Sequence, residues 1–340
     1  MQIAVTYGSS TNFSEIIDDV AAYDNAGLDA VWLGESYGFD AISALGALAH
    51  ATTRVQIGSG IIPVHSRSAT LIAQTAAGLD ALSNARFALG LGASGPAVIE
   101  GWHGREHAAP VRTIAETIRV CREVWRRERV SSAALGIPHG DLRPLKIMAH
   151  PVRDRIPIYV AAMGPRAVES TAEIADGWLP IMFLPERAEQ IWGRQLSTGA
   201  ARRDPDLGPL QIAAPVYVAI DGDRAAHEAA FRRHTAHYVA VMGPPRRGLY
   251  YQLMGRYGYA DAADAITDAY LAKDVDAASA AVPDEFVAAT SLIGDSVHVK
   301  TRLAAYRRAG VTMLNATFAG DTLDARLHEP SALQELTSEL

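Results

Sequence analysis

Short apolar runs alternate with amphipathic segments along the whole chain. Gln2–Tyr7, Asp29–Leu33, Val55–Gly58, Phe87–Leu91, Pro157–Ala161, Gly177–Pro180, Leu210–Ile220 and Met313–Phe318 are apolar at most positions. That is the pattern of strands covered on both faces, as in parallel sheets. Between them apolar residues recur every three or four positions, which predicts helices. Phe13–Ala26 carries Ile16, Ile17, Val20 and Tyr23 on one face and meets Gly27 as its stop. Ala41–Ala51, Ala69–Leu82, Thr113–Arg129, Arg166–Ala175, Pro185–Leu196 and Val297–Ala309 are further predicted helices. Strands alternating with helices imply parallel crossovers. Eight strands predict an α/β fold, a (β/α)8 TIM barrel spanning residues 1–340 as one domain. Asp221–Ser296, between the seventh and eighth strands, carries helical patterns at Ala225–Met242, Gln252–Gly258 and Asp261–Leu271. It predicts a helical insertion over the barrel mouth. Val130–Pro157 holds four prolines and reads as a loop.

Composition narrows the partners. The chain has 340 residues, 49% hydrophobic, enough for a large core. Its formal charge of −7 disfavours nucleic acid. A single cysteine, Cys121, excludes an internal disulfide, and its place among Ile114, Ile118, Val124 and Trp125 is a core position. No apolar run approaches the roughly 20 residues of a membrane span. The start, MQIAVTYGSS, lacks the basic and apolar regions of a signal peptide. A cytoplasmic protein, with neither a membrane nor a nucleic-acid partner, is expected.

Candidate chemistry begins with Gly90-Leu-Gly92-Ala-Ser-Gly95, a G-x-G-x-x-G directly after a strand. A dinucleotide fingerprint needs a helix next and an acidic residue about 20 positions on, at a strand end. Here Gly101 and Gly104 follow, and Glu116 lies inside a predicted helix. The turn is better read as the fourth-strand rim of a barrel, where active sites lie. His103-Gly-Arg-Glu106-His107 matches the letters of an inverted zinc-protease motif, but Gly101, Gly104 and Pro110 predict a loop. His227, His234 and His237 read as a solvated helix face, so no metal site is expected. Ala162-Met163-Gly164-Pro165-Arg166 joins the fifth strand to its helix. Pro165 suits a first helical turn, and the free N–H groups there can hold a phosphate beside Arg166. Glu35-Ser36-Tyr37 places a carboxylate and a phenol at the rim of the second strand.

These pieces resemble the bacterial luciferase-like superfamily, in its branch that uses the deazaflavin coenzyme F-420. The matching phrases are Gly34–Ala41, Ile57–Ile62, Leu89–Pro96, Val98–Gly104, Pro144–Lys146 with His150-Pro151, and Thr171–Ile181, extended by Pro283–Val287 and Gly310–Met313. The resemblance implies a TIM barrel, a homodimer, and a cis peptide at Gly60–Ile61 behind a flavin-type ring. It places Gly92, Ser94 and Gly95 along the ring or its chain. Ala162, Met163, Gly164, Pro165 and Arg166 would hold the phosphate, with Trp178 and Ile181 beneath, and Tyr7 joins the cofactor set. Arg67 or Arg166 would meet the coenzyme's acidic tail.

The implied reaction moves hydride between F-420 and a small organic substrate at a C=C, C=N or carbonyl centre. Glu35 or Tyr37 would donate the proton, with His65 in reserve. Ser36 and Gly95 replace the histidine and glutamate of sugar-phosphate-oxidising relatives, which argues against that reaction. The rivals are an FMN-dependent monooxygenase with a partner reductase, and a non-catalytic cofactor-binding barrel.

Overall fold

A computed structural model describes residues 1–8, 12–131, 143–319 and 323–340, without the side chains of 323–325. The strands are β1 (Gln2–Tyr7), β2 (Ala30–Leu33), β3 (Gln56–Ser59), β4 (Ile62–Pro63), β5 (Phe87–Gly92), β6 (Ile158–Ala161), β7 (Gly177–Leu179), β8 (Gln211–Ile220), β9 (Leu292–Gly294) and β10 (Met313–Phe318). Eight of them close a parallel barrel in the order β1-β2-β3-β5-β6-β7-β8-β10, with β10 pairing back onto β1. This is the expected TIM barrel. The other two were not foreseen. β4 resumes the third barrel strand after Gly60–Ile61 and pairs with β5 at Leu91 and Gly92. β9 adds to the end of β8, with Leu292 opposite Val218.

Strand alternation gives the barrel two faces. Ile3, Val5, Val31, Leu33, Leu89 and Leu91 point outward into the helical layer. Ala4, Ala30, Trp32, Ala88, Tyr159 and Met313 point inward. The Trp32 and Tyr159 rings meet edge-on at 4.9 Å, and Trp32 Nε1 donates to Met313 Sδ at 3.4 Å. Their bulk explains two glycines. A Cβ on Gly58 would stand 2.5 Å from Trp32, and one on Gly177 would stand 2.1 Å from Tyr159.

Polar residues start the helices where the pattern places them. Asn12, Asp40, Ser68 and Asp295 each accept an N–H of the first turn that follows. The helix Phe13–Ala26 ends at Gly27 with φ 88°. Its Asp24 accepts the N–H groups of Thr53, Arg54 and Val55 at 2.7, 2.9 and 2.6 Å, which ties the helix to the entry of β3. Thr113–Arg129, predicted as a helix, is observed as Pro110–Trp125. Pro110 suits its first turn, and Arg127 beyond it is left-handed, with φ 59°. Cys121 is fully buried, and that burial raises its thiol pKa.

The insertion after β8 contains Arg224–Val241, Leu249–Arg256, Ala260–Leu271, Val275–Ala280 and Asp284–Thr290, all helical. A C-terminal helix, Leu323–Ser338, was not foreseen; Gln334 donates to the Gly27 carbonyl at 2.9 Å and Arg326 pairs with Asp19. The segment expected to be loop after Pro96 forms a π-helix over Ala97–Trp102, where the His103 N–H reaches the Val98 carbonyl at 3.0 Å. The expected loop Val130–Pro157 lies partly outside the described residues; Val130 and Leu145 form a β-bridge across it. Among the described residues no helix is long and apolar enough to cross a membrane.

Candidate active site

The C-terminal ends of the barrel strands carry the rim. At the third barrel strand the Gly60–Ile61 peptide is cis, as the resemblance implied. Just before it, Ser59 Oγ donates to the Gly90 carbonyl and accepts the Gly90 N–H, each at 2.9 Å. A Cβ on Gly90 would lie 1.8 Å from the Ser59 carbonyl oxygen, and one on Gly92 would lie 2.9 Å from the Ile61 side chain. The first two glycines of the false fingerprint therefore admit a neighbouring strand rather than a dinucleotide. The third differs: a Cβ on Gly95 would meet nothing within 4 Å. Ser94 beside it has φ 58°.

Glu35 follows β2. Its carboxylate is only 5% exposed and forms a bidentate pair with Arg67, Nη1 to Oε1 and Nη2 to Oε2, the latter at 2.8 Å. Oε2 also accepts the Ala41 N–H at 3.1 Å. The Glu35 hydrogen bond holds the Arg67 guanidinium above its ordinary pKa. The Glu35 carboxylate oxygens thus accept N–H groups from Arg67 and Ala41. Arg67 is correspondingly committed and does not offer a free charge to an acidic tail. Tyr37 sits two residues on and is 66% exposed.

His65 is half-buried. Its Nε2 lies 3.0 Å from the Ala108 carbonyl, which can only accept, so that nitrogen carries the proton. Nδ1 is buried and has no hydrogen-bond partner among the described residues. The ring stands 5.2 Å from His107, whose Nε2 lies 3.3 Å from the Ser94 carbonyl. His65 and His107 thus gather beside the β5 rim. Among the described residues no three metal-ligating groups cluster.

Beyond β6 the helix Pro165–Ile174 starts at Gly164 with no side-chain cap. Its first internal bond is Val168 N–H to Gly164 O, at 3.0 Å, which leaves the N–H groups of Arg166 and Ala167 at an open positive end. Gly164 has nothing within 4 Å of a Cβ position, and Arg166 is exposed. Met163 and Ile181 are half-buried.

Two predicted contacts are corrected. Tyr7 shares the outward face of Ile3 and Val5, and its hydroxyl donates to Asp19 Oδ2 at 3.1 Å, in the helical layer. Burial raises its pKa, with Tyr23 and Asp19 adding to the effect. Trp178 also faces outward; it is 0% exposed and packs on Phe183 and Trp192. Its Nε1–H holds the Ala162 carbonyl at 2.9 Å, so it braces the loop after β6 from behind. A cavity of about 250 Å³ beside it, lined by Phe183, Glu189, Trp192 and Arg308, lies among the outer helices and includes no rim residue.

Sequence reasoning also missed residues at this end. Asn315, on the inward face of β10, has a buried Oδ1 with no partner among the described residues. Its signal is an amide in a strand whose other residues, Thr317 apart, are apolar. Helix Arg224–Val241 presents His227, Phe231, His234 and Tyr238 at spacings that fall on one face. In the sequence the histidines alone mark this face, as a stripe at helical spacing.

The sequence profile described as luciferase-like monooxygenase matches residues 1–313. The chain belongs to the luciferase-like monooxygenase family. Within it, a Mycobacterium tuberculosis protein named as a coenzyme F-420-dependent oxidoreductase is 37% identical over 312 residues, 88% of this chain and 89% of that one. The 5,10-methylenetetrahydromethanopterin reductase of Methanolobus tindarius is 28% identical over 319 residues, 92% and 94% of the two chains. The coenzyme F-420-dependent tetrahydromethanopterin reductase of Methanopyrus kandleri superposes with a TM-score of 0.82 over 98% of this chain and 99% of that one, at 20% identity. That last likeness establishes the fold. Family membership makes the chain an oxidoreductase.

Proposed function

We propose that the chain binds coenzyme F-420 at the barrel mouth and reduces, or in reverse oxidises, a small organic substrate at a C=C, C=N or carbonyl centre. The observation that carries this is the uncapped helix start at Gly164–Ala167 with Arg166, on the same rim as the end of β5 at Gly92, in a chain 37% identical to a relative named for that coenzyme. Gly60, Ile61, Gly92, Ser94 and Gly95 lie along the ring. Ala162, Met163, Gly164, Pro165 and Arg166 hold the phosphate, with Ile181 beside them. When bound, the coenzyme supplies the hydride chemistry.

The chain's own residues position the reactants and exclude water. His65, held through its Nε2–H on the Ala108 carbonyl, and the exposed Tyr37 hydroxyl carry the substrate proton at the rim. Glu35 holds Arg67 in place and is not the donor. The enzyme acts as a homodimer, a reading supported by the resemblance alone.

Titration of the purified protein with F-420 and with FMN tests this. F-420 should bind at least about tenfold tighter, a difference of roughly 1.4 kcal/mol. Tight FMN binding without affinity for F-420 would favour the monooxygenase reading. Coenzyme binding with no turnover on any carbonyl, imine or alkene would favour a non-catalytic barrel.

A further inference from the structure

The inside of the barrel is sealed below and open above. Met313, Ala4 and Ala213, on the inward faces of β10, β1 and β8, are at most 1% exposed. One inward step further up those strands, Asn315, Thr6 and Pro215 are half-buried, and Thr317 above Asn315 is exposed. The register seats Asn315 between Ala4 on one side and Pro215 on the other. With the climb of about one residue per strand in this fold, Asn315 stands level with Trp32, Gly90 and Leu179. Solvent reaches down the mouth to that level, and Asn315 is part of the floor.

Its amide answers no need of the fold. The buried Oδ1 has no partner among the described residues. Ala4, Pro215 and Leu179 carry no side-chain donor, Gly90 has no side chain, and Trp32 gives its N–H to Met313 Sδ. A buried polar group left unpaired is costly, whereas an apolar group of the same shape is not. The χ2 torsion of an asparagine is broad, so a ligand at the floor can draw Oδ1 toward it. The coenzyme contacts proposed above lie at the ends of β3 to β7. The other half of the mouth comes from β8, β10, β1 and β2, strands without a single charged residue. Thr6 and Thr317 add neutral hydroxyls beside Asn315 there.

We infer that Asn315 determines specificity at the floor of the mouth and selects a substrate that presents a neutral amide or lactam edge. A carboxamide carries one acceptor oxygen and two N–H donors. An N–H beside a C=O meets both ends of it, whereas a hydroxyl meets one. A carboxylate or phosphate at that depth would be desolvated with no counter-charge from these four strands. The inference rests on the proposed F-420 reading only for which half of the mouth is left to the substrate. A deazaflavin ring carries an edge of the same chemistry, so the test separates the two sources.

Binding is measured directly, by calorimetry, with 2-quinolone, N-methyl-2-quinolone and quinoline-2-carboxylate as probes, without coenzyme and with saturating F-420. In both conditions 2-quinolone should bind about tenfold or more tighter than either of the others, the worth of pairing a buried amide. Asn315→Leu should remove that preference while affinity for the N-methyl probe and for F-420 stays unchanged; general loosening of the mouth would weaken all three. Asn315→Ala, which cannot overpack, should lose the preference as well. Equal binding of 2-quinolone and its N-methyl form, a preference that survives in a folded variant, or no binding of 2-quinolone at millimolar concentration would overturn the inference. So would a preference that disappears once F-420 is bound, or F-420 affinity lost in the variants, since the amide would then hold the coenzyme. Lactam preference without F-420 binding would sink the proposed function and leave Asn315 its role. F-420 binding without lactam preference would remove this inference alone.

Discussion

Glu35 and Arg67 form a bidentate ion pair across the rim, with the carboxylate 5% and the guanidinium 19% exposed. The pair links the end of β2 to the segment after β4. It also brings a carboxylate to the start of helix Ala41–Ala51, where the Ala41 N–H meets it. Breaking one side leaves the other charge partly buried. Glu35→Ala should therefore cost about 2–4 kcal/mol in urea unfolding, and the double variant with Arg67→Ala should recover part of that loss. Additive losses would mean that the two side chains stabilise independently.

The proposed reading gives the proton-donor role to His65 rather than to the paired Glu35. His65→Ala should lower kcat about a hundredfold or more, the usual worth of a positioned acid. F-420 affinity in that variant should stay at the wild-type value. Glu35→Gln, which keeps an acceptor for Arg67, should lower kcat much less. A larger kcat loss in Glu35→Gln than in His65→Ala would return the role to the carboxylate.

The glycines of the β5 rim should separate cleanly. Gly90→Ala sets a Cβ 1.8 Å from backbone oxygen that cannot move aside, and should cost about 3 kcal/mol or more, or prevent folding. Gly95→Ala meets nothing within 4 Å. Its stability should stay within about 0.5 kcal/mol of wild type, while coenzyme affinity falls. Thermal melts and a coenzyme titration read both effects.

Glu329 gives a pH dependence. Burial raises its pKa to about 7, with the Ile220 N–H opposing and Asp221 adding. The unfolded carboxyl titrates near 4.3. Between roughly those two values the unfolded chain has released a proton that the folded chain still holds, so stability falls as pH rises. The cost is absent below the unfolded pKa and complete above the folded one. Glu329→Gln should thus stabilise the protein by about 1–3 kcal/mol near pH 8 and have little effect near pH 4. A benefit that does not change between those two pH values would contradict the assignment.

The barrel was legible because its strands are apolar on both faces, and only a parallel sheet wrapped in helices asks for that. β9 was not, because Leu292–Gly294 is too short to show a period. Gly90 and Gly92 announced a close approach, but Ser59 and Ile61, the groups that approach, lie some thirty residues earlier in the chain. Glu35 was legible as a rim carboxylate and illegible as a paired one, since Arg67 arrives on a different strand's loop. Tyr7 and Trp178 were misplaced although parity was available: Tyr7 repeats the alternation of Ile3 and Val5, and Trp178 lies between the inward positions Gly177 and Leu179.

The central claim is that one rim holds an F-420 ring against Gly60–Ile61 and its phosphate at the Gly164–Ala167 helix start. A crystal structure of the complex tests it most directly. The account predicts the phosphate within hydrogen-bond distance of the Arg166 and Ala167 N–H groups, and the ring beside Ile61 and Gly92. A coenzyme seated among the outer helices near Trp192, or a phosphate held away from Arg166, would contradict it.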